Sequence, residues 1–359
     1  MKLFIFTTIL LLLFGCTNSN EPKTIDSKPL IRVTVNEQME LIRIAWNLAW
    51  QDDIEDNEKS TPSTYLVSVE KHFTNWSGHK LIRFIIESEL YDYSFPSIGL
   101  SLDSNFSSIN PKGIEKWENI YGKKVISAFL KKLRKFAQDT KSASFFKTKK
   151  SEKNLFCKNL KLKVDSTNWI ENYASVFPEI YKVKRIVLYI DALNNSGNTE
   201  VSMDKQSIGI LYPYYSDNPT ELRKKPMKAV GINLNIADEI TFYHELSHFM
   251  TTGLTNKHYD EIKSTIQCYF SIPPEENATS YYRNQLDETI VRAYSIFVLY
   301  KVSHGKSKVV NAYLENQIKE YKMIKKVFNL IKKYDLENSN SSNERHILLL
   351  ETLAKEHCN

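Results

Sequence analysis

Residues 242–249 read Phe-Tyr-His-Glu-Leu-Ser-His-Phe, and this stretch decides the expected fold and chemistry. His244 and His248 are four positions apart, so on an α-helix they lie one turn apart on the same face. Zn²⁺ binds two neutral imidazoles and a carboxylate and keeps one position for water. Glu245 follows the first histidine, which places its carboxylate beside a metal-bound water without binding the ion. The stretch therefore predicts a hydrolytic zinc site on a helix.

The third metal ligand must come from a different part of the chain. A histidine six residues beyond His248 would extend the motif, but Leu254 occupies that position, and His258 falls on a different predicted element. Glu288 is the expected ligand, because it lies near the start of an amphipathic helix predicted over residues 284–302. That helix can pack against the histidine helix. The alternative for Glu288 is an exposed first-turn acid that the helix dipole favours.

Side chains near Glu288 are candidates for supporting roles. Arg292 lies one turn further along the same face, where it can pair with Glu288, bind a substrate carboxylate or steady an oxyanion. Of these, the structural ion pair is the preferred interpretation. Asp287 points about a hundred degrees away around the helix, so it is not interchangeable with Glu288. Further candidates for an oxyanion donor, each more simply structural, are Tyr281, Tyr282 and His304.

The chain before the histidine helix has the pattern of a small sheet. A turn is expected at residues 194–198, which read Asn-Asn-Ser-Gly-Asn. Asp238 is the expected N-cap of the histidine helix, and Gly253 its expected end. Helices then continue nearly to the C-terminus. Strands are predicted from β-branched, aromatic and alternating apolar residues at 183–190, 207–212 and 229–236.

The first half of the chain is mainly helical by its apolar periodicity. Together these patterns predict an α+β protein. A helical N-terminal region over residues 31–180 precedes a region over 181–359 with a zincin-like small sheet, the active-site helix and C-terminal helices. The N-terminal helices are expected at residues 40–49, 65–73, 80–90 and 117–136.

The N-terminus has the pattern of a bacterial lipoprotein leader. Lys2 precedes an apolar run at residues 3–14 that is too short for a comfortable membrane span. The run ends in Leu-Phe-Gly-Cys at Cys16, which resembles a lipobox and makes residues 1–16 the expected signal peptide. Residues 17–30 are the expected polar tether. A secreted protein with a chance cysteine is the alternative. The residue after Cys16 is Thr17 rather than the aspartate associated with retention in the inner membrane, which favours the outer membrane of the cell envelope.

Composition is that of a globular protein, with 42% hydrophobic and 25% charged residues and a net charge of +6. The lysine clusters fall at helical spacing among apolar residues, which is typical of solvated helix faces, so no nucleic-acid partner is expected. Three cysteines remain beyond the leader: Cys157, Cys268 and Cys358. They lack the CxxC spacing of a zinc cluster. An extracytoplasmic compartment permits one disulfide, whose pairing the sequence leaves open.

Several stretches resemble the DUF4932 family of bacterial, largely Bacteroidota, proteins. The resemblance extends over most of the mature chain, and it implies a zincin-like peptidase without supplying a substrate. The resemblance implies a gluzincin-type site, in which His244, His248 and Glu288 bind the metal. Glu245 and Arg292 also stand at positions that match the family pattern. Residues 249–252 depart from the family pattern just after the second histidine. The matching stretches are VTVNEQMELIRIAWNLA (33–49), YLVSVEKHF (65–73) with His79, FAQDTKSASFF (136–146), HELSH (244–248) and DETIVRA (287–293).

Zinc-dependent hydrolysis of a peptide bond is the leading hypothesis for function. Glu245 would act as general base toward the metal-bound water. The strand expected at 229–236 could pair with an extended peptide or protein substrate. Membrane attachment would be through lipidated Cys16. The alternatives are a non-catalytic envelope binding lipoprotein with a zincin fold and a cell-wall amidase; an intact Glu245 counts against the first of these.

Overall fold

The computed structural model describes residues 28–50, 64–193, 199–204, 207–213, 234–270, 278–303, 308–337 and 341–355. The expected signal peptide, Cys16 and most of the tether lie outside these ranges, as do the turn expected at 194–198 and His304. Within the described ranges, no helix is both long enough and apolar enough to cross a membrane.

Helices make up most of the first half. The first begins after Asn36, whose side chain accepts a hydrogen bond from the backbone N–H of Met39 (2.7 Å) and so satisfies a free donor of the first turn. Short 3₁₀ segments occur at Thr74–Trp76, Phe95–Ser101 and Pro178–Lys182. The α-helices are α1 (Glu37–Ala49), α2 (Thr64–Phe73), α3 (Lys80–Glu87), α4 (Pro111–Tyr121), α5 (Lys123–Asp139), α6 (Ser142–Thr148), α7 (Lys150–Ser166) and α8 (Trp169–Ala174).

The helix expected over residues 117–136 is in fact two helices, α4 and α5, that meet at Gly122. This glycine has φ of +90°, a conformation that side chains with a Cβ rarely adopt. Its backbone N–H donates to the carbonyl of Glu118 (2.9 Å), which closes the last turn of α4. The apolar periodicity continues through the break because both helices bury one face in the same core. The expectation of one helix was therefore wrong.

A four-stranded sheet contains β1 (Leu30–Thr34), β2 (Arg185–Asp191), β3 (Thr199–Asp204) and β4 (Ser207–Pro213) in the order β1-β2-β4-β3. Strands β1, β2 and β4 are parallel, and β3 is an antiparallel edge strand. The strands expected at 183–190 and 207–212 are confirmed as β2 and β4. Strand β1 was not predicted, because the alternation of Ile31 and Val33 with Arg32 and Thr34 is only a few residues long and stands directly before a helical pattern. The architecture is α+β, as expected.

The histidine helix is longer than its sequence indicates. It forms α9 (Leu234–Lys257), so Asp238 lies inside the helix and is not its N-cap. Residues 234–236 of the third expected strand are helical, and residues 229–233 lie outside the described ranges. Gly253 does not end the helix. A glycine inside a helix costs only about 1 kcal/mol, which the packing of a long helix outweighs.

The remaining helices are α10 (Tyr259–Gln267), α11 (Ala278–Val302), α12 (Lys308–Gln317), α13 (Ile324–Glu337) and α14 (Ser342–Ala354). The helix expected over 284–302 is confirmed as α11, with a start six residues earlier, and it packs against α9. One hydrophobic core extends from α1 to α14. A buried ion pair joins its halves, with Arg43 of α1 donating to Asp191 of β2 (2.8 and 3.0 Å).

The structure describes the bonding state of two of the three cysteines beyond the leader. Cys157 on α7 is a free thiol, whereas Cys268 takes part in a disulfide. Cys358 lies outside the described residues. The single disulfide that the sequence permits therefore does not use Cys157.

A buried polar junction links α9, α11 and α14. His346 is only 1% exposed, and its two ring nitrogens lie 3.1 Å from Oγ1 of Thr255 and 3.2 Å from the hydroxyl of Tyr294. Burial, with a smaller effect of nearby His258, lowers the pKa of His346 to about 3. The native state therefore holds this histidine neutral at a pH where the unfolded chain binds a proton.

We expect this junction to make the protein acid-sensitive. Between the lowered folded pKa and the ordinary unfolded value, the unfolded state binds more protons, so stability rises with pH through that window. From about pH 7 to about pH 5 the cost is about 2 kcal/mol. His346→Gln keeps a donor and an acceptor but does not titrate, so denaturant titrations at the two pH values should show a smaller loss for it than for the unmodified protein. An equal loss in both proteins would contradict this assignment.

Candidate metal centre

Helix α9 places both histidines of the motif on one partly exposed face. Its opposite face is apolar and buried, through Phe242, Tyr243 and Leu246. This burial fixes the rotation of the helix about its axis and leaves His244 and His248 directed at α11. Their Nε2 atoms lie 3.2 Å apart, and their ring planes are nearly perpendicular.

Contacts with α8 hold α9 in this rotation. The indole of Trp169 packs on Phe242 with ring centroids 5.0 Å apart. The hydroxyl of Tyr173 donates to Oγ of Ser247 (3.3 Å), which donates in turn to the backbone carbonyl of Tyr243 (2.7 Å). Ser247, which lies between the two histidines, thus has a structural role. The N-terminal region supports the site directly through this contact with α8.

Helix α11 brings Glu288 to the two histidines, as the sequence predicted. Its carboxylate oxygens lie 3.3 Å from Nε2 of His248 and 3.6 Å from Nε2 of His244. A zinc ion with bonds of about 2.0–2.1 Å would hold neighbouring tetrahedral ligands about 3.3 Å apart. The two imidazole nitrogens, 3.2 Å apart, are close to that edge length, while Oε1 of Glu288 lies nearest His248 and Oε2 lies nearest His244. One ligand atom from each residue lies within 4.8 Å of the other two, so these three residues can hold a metal ion between them.

Asp287 contacts the other nitrogen of His248. Its Oδ2 accepts hydrogen bonds from Nδ1 of His248 and from Oγ1 of Thr252, both at 3.0 Å. Adjacent acids of α11 thus contact opposite nitrogens of the same imidazole ring. A carboxylate on Nδ1 fixes the tautomer that leaves Nε2 free to bind a metal. Sequence reasoning set Asp287 aside because of its angle around the helix, and it missed this role.

Arg292 orients the third ligand. Its Nε donates to Oε2 of Glu288 (3.1 Å) and its Nη1 donates to Gln317 of α12 (3.0 Å). The guanidinium carbon also lies 4.5 Å from the ring centre of Tyr321. These three contacts fit the structural ion pair that was the preferred interpretation of Arg292.

Local electrostatics fix the charge states of the ligands. Burial lowers the pKa of His244 to about 3, although Glu288 partly opposes this shift. Burial also disfavours a charge on His248, but its hydrogen bonds to Asp287 and Glu288 outweigh it and raise the pKa to about 10. The pKa of Glu288 falls to about 2 despite burial, because His248, His244 and Arg292 favour its charge. These shifts leave His244 neutral and Glu288 ionised, both of which suit a bound cation, whereas His248 must release a proton before its Nε2 can bind one.

Glu245 completes the motif from the same turn of α9. It is only 3% exposed, and its negative charge contributes to the raised pKa of His248. It is not one of the three residues whose ligand atoms converge. Its position beside the convergent group, rather than in it, suits a proton-transferring carboxylate.

The other candidates from the sequence have less support. Tyr282 is 6% exposed and belongs to the core. Tyr281 is partly exposed two turns before Glu288, on the same stripe of α11, and its ring packs on Tyr282 with centroids 5.6 Å apart. His304 lies outside the described residues. An oxyanion role for any of these three stays a prediction.

The hydrogen bond from His248 to Asp287 should strengthen metal binding. In Asp287→Asn the oxygen acceptor is kept and the charge is lost, so we expect the metal dissociation constant to rise about tenfold. In Asp287→Ala both are lost, and the rise should approach a hundredfold. Competition with a fluorescent zinc chelator measures both constants. Asp165→Asn, the same change on the exposed surface of α7, is the control. Equal affinities across the set would remove Asp287 from the site.

Comparisons with family models, curated proteins and solved structures find no match to this chain. The resemblance to the DUF4932 family therefore stays a prediction that rests on the quoted motifs. The case for function rests on the geometry of the metal centre.

Proposed function

We propose that this protein is a zinc-dependent hydrolase that cleaves peptide bonds at the bacterial cell envelope. The observation that carries the proposal is the convergence of His244, His248 and Glu288, whose ligand atoms lie within 4.8 Å of one another, with Glu245 beside them. Two nitrogens and one carboxylate are a ligand set of catalytic zinc, whereas Ca²⁺ and Mg²⁺ prefer oxygen ligands. Catalytic zinc sites with three protein ligands keep a further position for water or a substrate carbonyl.

Each residue has a distinct task in the proposed reaction. A zinc ion held by the three ligands would supply an acidified water and polarise the scissile carbonyl. Glu245 would act as the general base toward the attacking water and would pass the proton on to the leaving amine. Asp287 holds the tautomer of His248, and Arg292 holds the carboxylate of Glu288 in place. Anchoring through lipidated Cys16 would keep the enzyme on a membrane, and the outer membrane is the favoured location.

The test is metal analysis joined to a substrate comparison. The lipidated protein, extracted in mild detergent without chelator, should contain about one zinc per chain. A casein-like protein, a peptide library and peptidoglycan fragments are then assayed side by side. Cleavage of peptides that a chelator stops and zinc restores supports the peptidase. Cleavage of peptidoglycan fragments alone would indicate the amidase, and metal without any hydrolysis would indicate the binding lipoprotein.

A further inference from the structure

A concave site lies in the N-terminal region and shares no residue with the metal centre. It is a cavity of about 590 Å³, within the usual range of small-ligand pockets. Its walls are the first turn of α1, residues 104–106, the end of α5 and residues 141–146. We call it the α5–α6 cavity, and its polar lining includes Gln38, Asn105, Arg134, Gln138, Lys141 and Ser144.

The backbone at two points of the wall has an unusual conformation. Phe106 and Lys141 have φ of +57° and +52°, in the left-handed region that residues with a Cβ seldom adopt. The carbonyl of Lys141 accepts hydrogen bonds from the N–H groups of Ser144 (3.0 Å) and Phe145 (3.2 Å). Such conformations cost about 1–3 kcal/mol and persist where the surroundings hold them. The surrounding structure therefore holds this part of the cavity wall in a fixed conformation.

The positive charges of the cavity have no acidic partner. Nε and Nη2 of Arg134 donate to the backbone carbonyls of Asn105 (3.2 Å) and Phe106 (2.9 Å), which orients the guanidinium and leaves other N–H groups unused. Among the described residues, no carboxylate pairs with Arg134 or with Lys141. Glu37, also in the lining, lies 3.5 Å from Nζ of Lys153, but Lys153 pairs more closely with buried Glu40 (2.7 Å), so Glu37 keeps its charge in the cavity. Two cations and one acid leave a net charge of +1, which a monoanion balances and a dianion exceeds.

The rest of the lining is neutral and suits a polar ligand. The amides of Gln38, Asn105 and Gln138 offer both donors and acceptors, and Ser144 adds a hydroxyl. Phe146 forms a buried apolar part of the wall, and the Nζ atom of Lys153 lies 4.0 Å from its ring centre. Apolar walls with a few placed polar groups are typical of small-molecule sites.

We propose that the α5–α6 cavity binds a small organic carboxylate whose remaining groups are neutral amides or hydroxyls. Arg134 and Lys141 hold the carboxylate, and the side-chain amides bind the remainder. The end of a short peptide and a uronic acid share this chemistry. The proposal does not depend on the metal centre being catalytic.

Matched ligand pairs test the proposal by titration calorimetry on the detergent-extracted protein. The probes are N-acetyl-Ala-Ala as the free acid and as the amide, galacturonic acid and galactose, and inorganic phosphate. At least one acid should bind about tenfold or more tightly than its neutral counterpart. The pair that shows this difference tells whether the ligand is a peptide end or a uronic acid. Equal binding within both pairs, tighter binding of phosphate, or no saturable binding up to about 10 mM would overturn the proposal.

A charge-removing variant assigns the binding to this cavity. Asparagine tolerates the left-handed conformation better than lysine does, so Lys141→Asn removes the charge without opposing the fold. We expect it to weaken acid binding about tenfold or more while its melting temperature stays the same or rises. Lys158→Gln, on the exposed surface of α7, is the matched control and should bind as the unmodified protein does. Unchanged affinity in Lys141→Asn would overturn the assignment.

Discussion

Glu245→Gln is expected to lower kcat by about 10²–10⁴-fold, the usual contribution of a general base, while the zinc content stays near that of the unmodified protein. Glutamine has the shape of glutamate but cannot take a proton from water at neutral pH. Glu245 lies outside the group of convergent ligands, so the change leaves the metal-binding atoms in place. Initial rates on the best peptide substrate, with metal analysis of the same samples, measure both quantities.

The control for this variant is Glu261→Gln, a loss of the same charge on the exposed start of α10. It should keep full activity, which excludes a general effect of charge. If Glu245→Gln were fully active with normal zinc, hydrolysis by this site could not use the carboxylate, and the proposed mechanism would be wrong. If zinc were lost as well, Glu245 would act on metal binding instead.

The site was predictable to the extent that its geometry is local. His244 and His248 are fixed relative to each other by one helical turn, so their spacing alone predicted their convergence. Glu288 required a second helix to pack against the first, and residues 284–302 were predicted as that helix, although its buried residues from Thr289 to Leu299 surround the helix rather than follow one face. The role of Asp287 was missed because its contact with His248 depends on how α11 packs against α9. The angle of a side chain around its own helix does not give the packing of two helices.

The parts of the fold that escaped prediction depend on tertiary contacts. Strand β1 is only five residues long, too short for a clear sequence signal, and it is held by its parallel pairing with β2. Gly253 was expected to end α9, but packing against α11 sustains the helix to Lys257. The α5–α6 cavity joins three segments that are distant in sequence, residues 37–38, 104–106 and 134–146, so no periodicity or motif could indicate it.

Removal of the third ligand is expected to have the largest effect on metal binding. A tight zinc site binds with about 10–16 kcal/mol, so each ligand contributes about 3 kcal/mol or more. Glu288→Ala should therefore weaken zinc binding by at least about a hundredfold. In the unmodified protein, zinc at a hundred times its dissociation constant should stabilise the fold by about 2.7 kcal/mol. At the same zinc concentration the variant should show little stabilisation, which thermal unfolding with and without zinc measures.

Because Glu288 also pairs with Arg292, Glu288→Ala could disturb the fold as well as the site. Glu288→Gln separates the two effects, since its amide oxygen still accepts from Arg292 while a neutral amide is a poor zinc ligand. Glu315→Ala, at an exposed acid of α12, controls for loss of negative charge. We expect both Glu288 variants to lose zinc and Glu315→Ala to retain it. Zinc retained at about one per chain in Glu288→Gln would mean that Glu288 is not the third ligand, and another residue would have to complete the site with His244 and His248.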